Sequence, residues 1–242
     1  MNSVSHNIKA IIWDYDGTLC DTRPKNLNVT RKIIEHVTNE SYSRFKILND
    51  IEEFKAAHGR STNWRSFYKD EFNFNEKEID ETGIHWTGFQ LDDNTEVTFF
   101  KGILGVVKKA SSVPQGIVSQ NSSKIIRKQI SECNLSDEFK CIIGYEEVDL
   151  KKQKPHPEGI ISCIEKLTNS NSGTVIYIGD HETDTICVRN ANSVLRERGS
   201  NLKIISIAAL YDNMINVKEW QNQPDYMAHS PQDILSIMKE IE

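Results

Sequence analysis

Short runs of apolar residues recur along the chain, and stretches whose apolar residues repeat every three or four positions separate them. The runs are rich in isoleucine and valine, which is typical of strands buried on both faces of a parallel sheet. The intervening stretches are typical of helices with one buried face. Five strands are predicted in this way, over residues 8–13, 116–118, 141–144, 174–178 and 202–207.

This alternation predicts an α/β fold, with a Rossmann-like three-layer core in which helices cover a parallel sheet. Ser or Asn near residue 122 can cap one helix, and Pro157 suits the first position of another. Core helices are predicted over residues 122–133, 157–167, 183–196 and 231–241.

The interval between the first two strands interrupts the alternation. Residues 24–93 contain no convincing buried strand, and four segments in them have helical patterns: 26–37, 47–57, 64–72 and 75–89. About seventy residues is too long for a simple connection, so an inserted domain explains the interval better. We therefore predict a catalytic core of residues 1–22 and 94–242 and a helical cap domain of residues 23–93.

Polar residues of particular kinds follow the predicted strands. They are Asp14 and Asp16 after the first strand, Ser119 after the second, Lys154 in the loop after the third, and Asp180 and Asp184 after the fourth. Because ligand sites of open parallel sheets lie at the carboxyl ends of the strands, these residues are candidates for one site. Several carboxylates in one crevice require a cation, and oxygen donors favour a hard divalent ion such as Mg²⁺.

Each of these residues also has a simple structural explanation. An Asp close before a Gly is most often part of a turn, as Asp16 before Gly17 would be. Ser119 would cap a helix, and Lys154 would be a solvated charge. Taken singly, these explanations are the better ones. The joint occurrence of all the residues at strand ends, in a consistent order, favours a catalytic site.

Four motifs at these positions resemble the haloacid dehalogenase-like (HAD) hydrolases, especially the phosphoglycolate phosphatase-like branch with a helical cap. The motifs are residues 14–19, 118–119, 154–157 and 179–184, and the resemblance extends from about residue 8 to 210. It implies a phosphatase that uses magnesium to hydrolyse a small-molecule phosphate monoester through an aspartyl-phosphate intermediate.

The resemblance also implies catalytic and phosphate-binding roles. Asp14 would attack phosphorus as a nucleophile. Asp16 would protonate the leaving oxygen and then activate the hydrolytic water. Ser119, the backbone amide of Gln120, and Lys154 would hold the phosphoryl oxygens, and Lys154 would also offset charge between the substrate and Asp14.

The metal ligands implied by the resemblance are the carboxylates of Asp14 and Asp180 and the backbone carbonyl of Asp16. Asp184 would bind the metal through water or orient its ligands. His181 stands where the family often has a small residue, and an exposed position for it is favoured over a substrate contact.

Substrate selectivity is expected to come from the cap. His58, Gly59 and Arg60 are a candidate specificity loop, because glycine permits close approach and arginine pairs with anions. The alternative is a helix C-terminus, with Gly59 as the residue that follows the helix.

Composition limits the classes of partner and the compartment. The 29 basic and 35 acidic residues give a net charge of −6, which argues against non-specific nucleic-acid binding. The five cysteines are scattered, which indicates reduced thiols rather than a zinc site or a disulfide framework. Residues 1–7 do not resemble a signal peptide, and no apolar run reaches the ~18 residues of a membrane span. A cytoplasmic protein without a membrane partner is expected.

Two other functions remain open at this point. One is a phosphomutase similar to β-phosphoglucomutase, although Thr18 favours a phosphatase because such mutases often have valine there. The other is a catalytically inactive binding protein with the same fold. The joint presence of five residues argues against it: Asp14, Asp16, Ser119, Lys154 and Asp180. The sequence leaves the substrate and the oligomeric state open.

Overall fold

The structure is a computed structural model, and it describes residues 8–211 and 216–242. The start of the chain, which we predict not to be a signal peptide, lies outside the described residues. The strands are β1 (Ile8–Trp13), β2 (Cys20–Asp21), β3 (Thr98–Phe99), β4 (Gln115–Val118), β5 (Phe139–Ile143), β6 (Ser172–Gly179), β7 (Asn201–Ala209) and β8 (Tyr226–Ala228). The helices are α1 (Arg23–Thr38), α2 (Ile51–Arg60), α3 (Trp64–Phe72), α4 (Glu76–Asp92), α5 (Ile103–Lys109), α6 (Ser123–Glu132), α7 (Glu158–Leu167), α8 (Glu182–Glu197) and α9 (Pro231–Ile241).

Six strands form one parallel sheet in the order β5-β4-β1-β6-β7-β8. From β1 the chain proceeds to β4 and β5 on one side, and it then returns to β6 on the other side of β1. The connections that leave β1 and β6 therefore run in opposite directions. In open α/β sheets the crevice at such a switch point, at the carboxyl ends of the strands, is the usual ligand site.

The predicted α/β fold is confirmed. Helices α7 and α8 pack on one face of the sheet, where their apolar residues share a core with Ala10 and Ile12 of β1. On the other face, Trp13 Nε1 donates to Gln115 Oε1, and Gln115 Nε2 donates to the backbone oxygen of Val107 in α5. Each predicted core strand is present, whereas β8 was not predicted. The predicted helix start at Pro157 is wrong by one residue, because Pro157 is the N-cap of α7.

The central strand β1 is almost entirely buried. Ile11, Ile12 and Trp13 are 0% exposed. Burying each such side chain contributes about 1.5–3 kcal/mol to folding, so the carboxyl end of β1 is held firmly in the sheet. Asp14 follows directly, so its backbone position is also fixed.

The chain divides into two compact units, one of residues 1–20 and 99–242 and the other of residues 21–98. The second unit contains α1 to α4 around its own apolar core, which includes Ile33, Phe54, Phe67 and Ile79. The chain passes between the units in the short strands β2 and β3, whereas the sequence suggested boundaries at residues 22 and 94. A role for this inserted unit as a substrate cap stays a prediction.

The expected loop at His58, Gly59 and Arg60 is wrong, because these residues form the last turn of α2. The helix ends at Arg60, and Ser61 is its C-cap, so Gly59 is not the residue that follows the helix either. Arg60 is held there by Glu71, whose carboxylate oxygens accept from Nε at 2.8 Å and from Nη2 at 2.7 Å. This ion pair connects the last turn of α2 to α3.

Within residues 8–211 and 216–242, the structure contains no helix that combines the length and the apolar character needed to cross a membrane. The five cysteines are free thiols, and all but Cys133 are buried.

Candidate active site

The acidic residues predicted for the site lie at the carboxyl ends of the adjacent strands β1 and β6. Asp14 follows β1, and its backbone N–H donates to the oxygen of Ile178 in β6 at 2.7 Å. Asp180 follows β6 directly, and Asp184 lies in the first turn of α8. Carboxylate oxygens of Asp14, Asp180 and Asp184 all lie within 4.8 Å of one another. The structure therefore brings together residues up to 170 positions apart in a single acidic cluster.

Lys154 contributes a positive charge to this cluster. Its Nζ lies 2.6 Å from Oδ1 of Asp14 and 2.8 Å from Oδ1 of Asp184. Lys154, Asp14 and Asp184 are 7%, 7% and 5% exposed, so the whole triad is buried. Lys154 is thus not a solvated surface charge. A buried charge of this kind is tolerated only with such partners, and removing one of them is costly.

The charges of the cluster do not balance. Burial raises the pKa of Asp14, and although Lys154 opposes that rise, the carboxylates of Asp184 and Asp16 add to it. For Lys154, burial alone would lower the pKa, but Asp14 and Asp184 raise it above its ordinary value. One ammonium group is shared by two carboxylates, and Asp180 adds a further negative charge nearby. The excess of negative charge favours an additional cation.

The donor set fits a hard divalent cation. Carboxylate oxygens are the ligands that Mg²⁺ prefers, and three of them converge here. Two glycines preserve the space they need. Gly17 has a φ of +78°, and a methyl group on it would collide with the carboxylate of Asp180. A methyl group on Gly179 would collide in the same way with the side chain of Asp184. Only glycine leaves these carboxylates in place.

The carboxylate of Asp16 is hydrogen-bonded by the loop after β4. Ser119 Oγ donates to Oδ2 of Asp16 at 3.3 Å, and Asn121 Nδ2 donates to Oδ1 at 3.0 Å. The backbone N–H of Asn121 in turn donates to Ser119 Oγ at 3.1 Å. The two aspartates of the first motif therefore have different surroundings, as an acid and a nucleophile would need. Asn121 was not predicted, although its place two residues after Ser119 was the available signal.

Gln120 connects the two loops that carry the predicted phosphate-binding residues. Its Nε2 donates to the backbone oxygen of Lys154 at 3.1 Å. The side chain thereby ties the loop after β4 to the segment that presents Lys154. Because the side chain makes this contact within the protein, phosphate binding by the backbone amide of Gln120 stays a prediction.

Tyr177 also supports the cluster and was not predicted. It lies in β6 and is 1% exposed, and its hydroxyl donates to Oδ1 of Asp184 at 3.0 Å. Burial raises the pKa of Tyr177 well above its ordinary value, so the hydroxyl remains a donor. No sequence signal distinguishes it from an ordinary core tyrosine.

His181 has a structural role as the N-cap of α8. Its Nδ1 accepts from the backbone N–H of Thr183 at 3.1 Å, and its own N–H donates to Oδ2 of Asp184 at 3.2 Å. This reciprocal pair is a capping box, which fixes the first turn of the helix. The same hydrogen bonds orient the carboxylate of Asp184 toward the cluster.

Comparison with known proteins agrees with this geometry. Residues 11–194 match the family model described as haloacid dehalogenase-like hydrolase. The curated pyrophosphatase PpaX of Listeria monocytogenes serotype 4a is 25% identical over 246 residues, which cover 97% of this chain and 98% of the relative. The phosphoglycolate phosphatase of Chromobacterium violaceum is 24% identical over 235 residues, which cover 87% of this chain and 98% of the relative.

Solved structures share the fold. A haloacid dehalogenase-like family hydrolase from Streptococcus pneumoniae superposes with a TM-score of 0.71 at 19% identity, covering 96% of this chain and 98% of its own. A HAD-superfamily hydrolase of subfamily IA from Geobacter sulfurreducens has a TM-score of 0.62 at 17% identity, covering 98% of this chain and 100% of its own. The resemblance inferred from the four motifs is confirmed, and the chain belongs to the haloacid dehalogenase-like hydrolase family.

Proposed function

We propose that this chain is a magnesium-dependent phosphatase that hydrolyses a small phosphorylated metabolite, with Asp14 as a nucleophile that becomes transiently phosphorylated. The observation that carries the proposal is the buried contact of Lys154 Nζ with Asp14 Oδ1 at 2.6 Å, inside a cluster of three carboxylates. A lysine in this position offsets the repulsion between an anionic phosphate and an aspartate that must approach it.

The first half of the reaction transfers the phosphoryl group to the enzyme. A carboxylate oxygen of Asp14 attacks phosphorus, and the bond from phosphorus to the leaving oxygen breaks. Asp16, protonated at this stage, gives its proton to the leaving oxygen. Ser119 and Asn121 support a role for Asp16 because their hydrogen bonds fix the position of its carboxyl group.

The second half returns the enzyme to its starting state. Asp16, now ionised, takes a proton from water as the water oxygen attacks phosphorus. The bond between phosphorus and the Asp14 oxygen breaks, and inorganic phosphate leaves. Ser119, the backbone amide of Gln120, and Lys154 would hold the phosphoryl oxygens during both halves.

The carboxylates of Asp14 and Asp180, with the backbone carbonyl of Asp16, would hold magnesium. Asp184 would orient this set, because Tyr177 and the backbone N–H of His181 fix its own position. When bound, the ion supplies positive charge that offsets both the carboxylates and the phosphoryl oxygens.

Two substrate classes follow from the names of the relatives. Phosphoglycolate phosphatase favours a small phosphate monoester, which is our first candidate. Inorganic pyrophosphate is the second, because several relatives that cover 96% or more of this chain are named pyrophosphatases. In the second case inorganic phosphate is the leaving group, and the attack by Asp14 is unchanged. The inserted unit of residues 21–98 is proposed to act as the cap that selects between such leaving groups.

The test is an assay of phosphate release with magnesium from p-nitrophenyl phosphate, phosphoglycolate, pyrophosphate and a broad panel of phosphorylated metabolites. We expect turnover of at least one compound and its loss when a chelator removes the metal. Isomerisation of a sugar phosphate without phosphate release would indicate a mutase. Failure to turn over any compound would indicate a binding protein and would contradict the proposal.

A further inference from the structure

A second group of possible metal ligands lies in the inserted unit, well separated in sequence from the residues of the active site. It consists of His36 near the end of α1 and of Glu81 and His85 in α4. One ligand atom from each residue lies within 4.8 Å of the others. Two of the seven histidines of the chain thus meet beside a carboxylate on one surface.

The two imidazole rings are arranged as metal ligands are. Nε2 of His36 lies 3.2 Å from Nε2 of His85, and the rings meet at an interplanar angle of 68°. Two nitrogens bound to one tetrahedral zinc ion at 2.0–2.1 Å are about 3.3 Å apart, so the observed separation suits a shared ion. In that state each Nε2 turns its lone pair to the metal, and the ring protons reside on Nδ1.

Helix geometry explains why Glu81 joins the pair. Residues four apart in a helix lie on the same face, so Glu81 and His85 present their side chains side by side. The ring of Phe89, one further turn along α4, packs at 5.6 Å from the ring of His36 and 6.2 Å from that of His85. This apolar contact limits the ways in which the two rings can turn.

We infer that His36, Glu81 and His85 form a binding site for a divalent transition metal, for which zinc is the best-fitting ion. Two imidazole nitrogens and one carboxylate are a common zinc donor set, and they leave a fourth position for water. Magnesium suits the site poorly because it prefers oxygen ligands. The chain therefore carries two metal sites of different chemistry, a hard oxygen site in the core and a nitrogen-containing site in the inserted unit.

A metal at this place would join α1 to α4. The two helices are already connected elsewhere by a hydrogen bond of 2.7 Å from Gln90 Nε2 to Asn26 Oδ1. Zinc bound by His36 and by the α4 residues would add coordinate bonds to the ring contacts that His36 already makes with α4. Since an ion that binds only the folded form stabilises it, zinc is expected to stabilise the inserted unit.

The experiment is a zinc titration of the full chain, without an affinity tag, in the presence of millimolar magnesium, which occupies the oxygen site. We expect one bound zinc ion per chain and a rise of a few degrees in the melting temperature. In His36→Gln and in His85→Gln the affinity should fall by more than about tenfold, since the loss of even a group that only orients a ligand costs about 10–100-fold. The exposed His229 provides the matched control, and His229→Gln should bind zinc as the wild type does.

Replacing zinc by Co²⁺ gives a second measurement that does not depend on stability. The visible absorption of the bound cobalt should show nitrogen ligation in the wild type and should be lost in His85→Gln.

Equal zinc binding by the wild type and the double variant His36→Gln/His85→Gln would overturn the inference. Zinc binding that is lost in Asp180→Asn instead would also overturn it, because it would place the ion in the core. Absence of zinc binding by the wild type would do the same. None of these outcomes depends on phosphatase activity.

Discussion

Lys154 Nζ lies 2.6 Å from Asp14 Oδ1, although 140 positions separate the two residues in the chain. The contact exists because the loop after β5 and the end of β1 meet at the same edge of the sheet. It joins Asp14, which is proposed to attack phosphorus, to Lys154. Among the residues that the structure describes, Lys154 is the one buried cation of this cluster. The charge of Lys154 therefore bears on both stability and catalysis.

Replacing Lys154 by methionine should destabilise the metal-free protein by about 3 kcal/mol, because it leaves buried carboxylates without their counter-charge. Magnesium should reduce this loss, since it supplies positive charge to the same carboxylates. Denaturant unfolding of the wild type and of Lys154→Met, with and without magnesium, measures both effects. Lys152→Met is the matched control, because the side chain of Lys152 is 45% exposed and should matter little. Equal stability of Lys154→Met and the wild type without magnesium would contradict the proposed balance of charges.

Gly179→Ala should weaken magnesium binding and activity by about tenfold or more, because the new methyl group displaces Asp184. The measurement is activity as a function of magnesium concentration. Gly105→Ala in α5 is the control, since among the described residues no heavy atom lies within 4 Å of the added methyl group. That variant should keep its activity and gain slightly in stability. A normal magnesium response in Gly179→Ala would count against a metal site whose ligands Asp184 orients.

Asn121→Ala should lower kcat by about tenfold while leaving KM nearly unchanged, because it loosens the proposed acid and base, Asp16, and not the phosphate-binding groups. Steady-state kinetics separates the two constants. Asn201→Ala, at the exposed start of β7, is the matched control and should leave both constants unchanged. A large rise in KM with an unchanged kcat would assign Asn121 to substrate binding instead.

Asp93 makes the stability of the inserted unit depend on pH. Burial alone would raise its pKa, but hydrogen bonds from Lys32 and Thr95 lower the pKa of Asp93 to about 2. The folded form thus favours the carboxylate, so the stabilisation is complete above the unfolded pKa near 4 and is lost as the pH falls through 2. We expect Asp93→Asn to cost about 2 kcal/mol at neutral pH and about half as much at about pH 3.

Denaturant unfolding at the two pH values tests the dependence. Asp92→Asn is the control, because the adjacent residue is exposed and should show no such change. A cost of Asp93→Asn that stays constant down to pH 3 would exclude the proposed ionisation.

The sheet was predictable because burial on both faces leaves a continuous apolar run, and β1 and β6 show this pattern most clearly. Strand β8 was missed because Tyr226–Ala228 is short and Met227 is 52% exposed, so no apolar run marks it. The last turn of α2 was missed because Gly59 is usually a helix breaker. Arg60, in the same turn, pairs with Glu71, 11 residues further on, and this is a contact that local pattern does not reveal.

The charged residues of the candidate site were predictable from their positions after strands, since the topology alone brings strand ends together. Their supporting residues were not. In the sequence, Tyr177 cannot be distinguished from other core residues. Only the structure shows that its hydroxyl donates to Asp184. Asn121 is identified as a supporting residue only by its hydrogen bond to Asp16. Such partners depend on side-chain directions across the sheet edge, which periodicity does not encode.

Phosphorylation of Asp14 during turnover can be tested by trapping the aspartyl phosphate. The enzyme is mixed with magnesium and p-nitrophenyl phosphate, or with the best substrate of the panel, and is quenched with acid during turnover. Borohydride then converts an aspartyl phosphate to homoserine, which peptide mass spectrometry locates. We expect homoserine at position 14 in the wild type, only when substrate is present, and no turnover in Asp14→Asn. Modification of another aspartate, or near-normal turnover in Asp14→Asn, would contradict it.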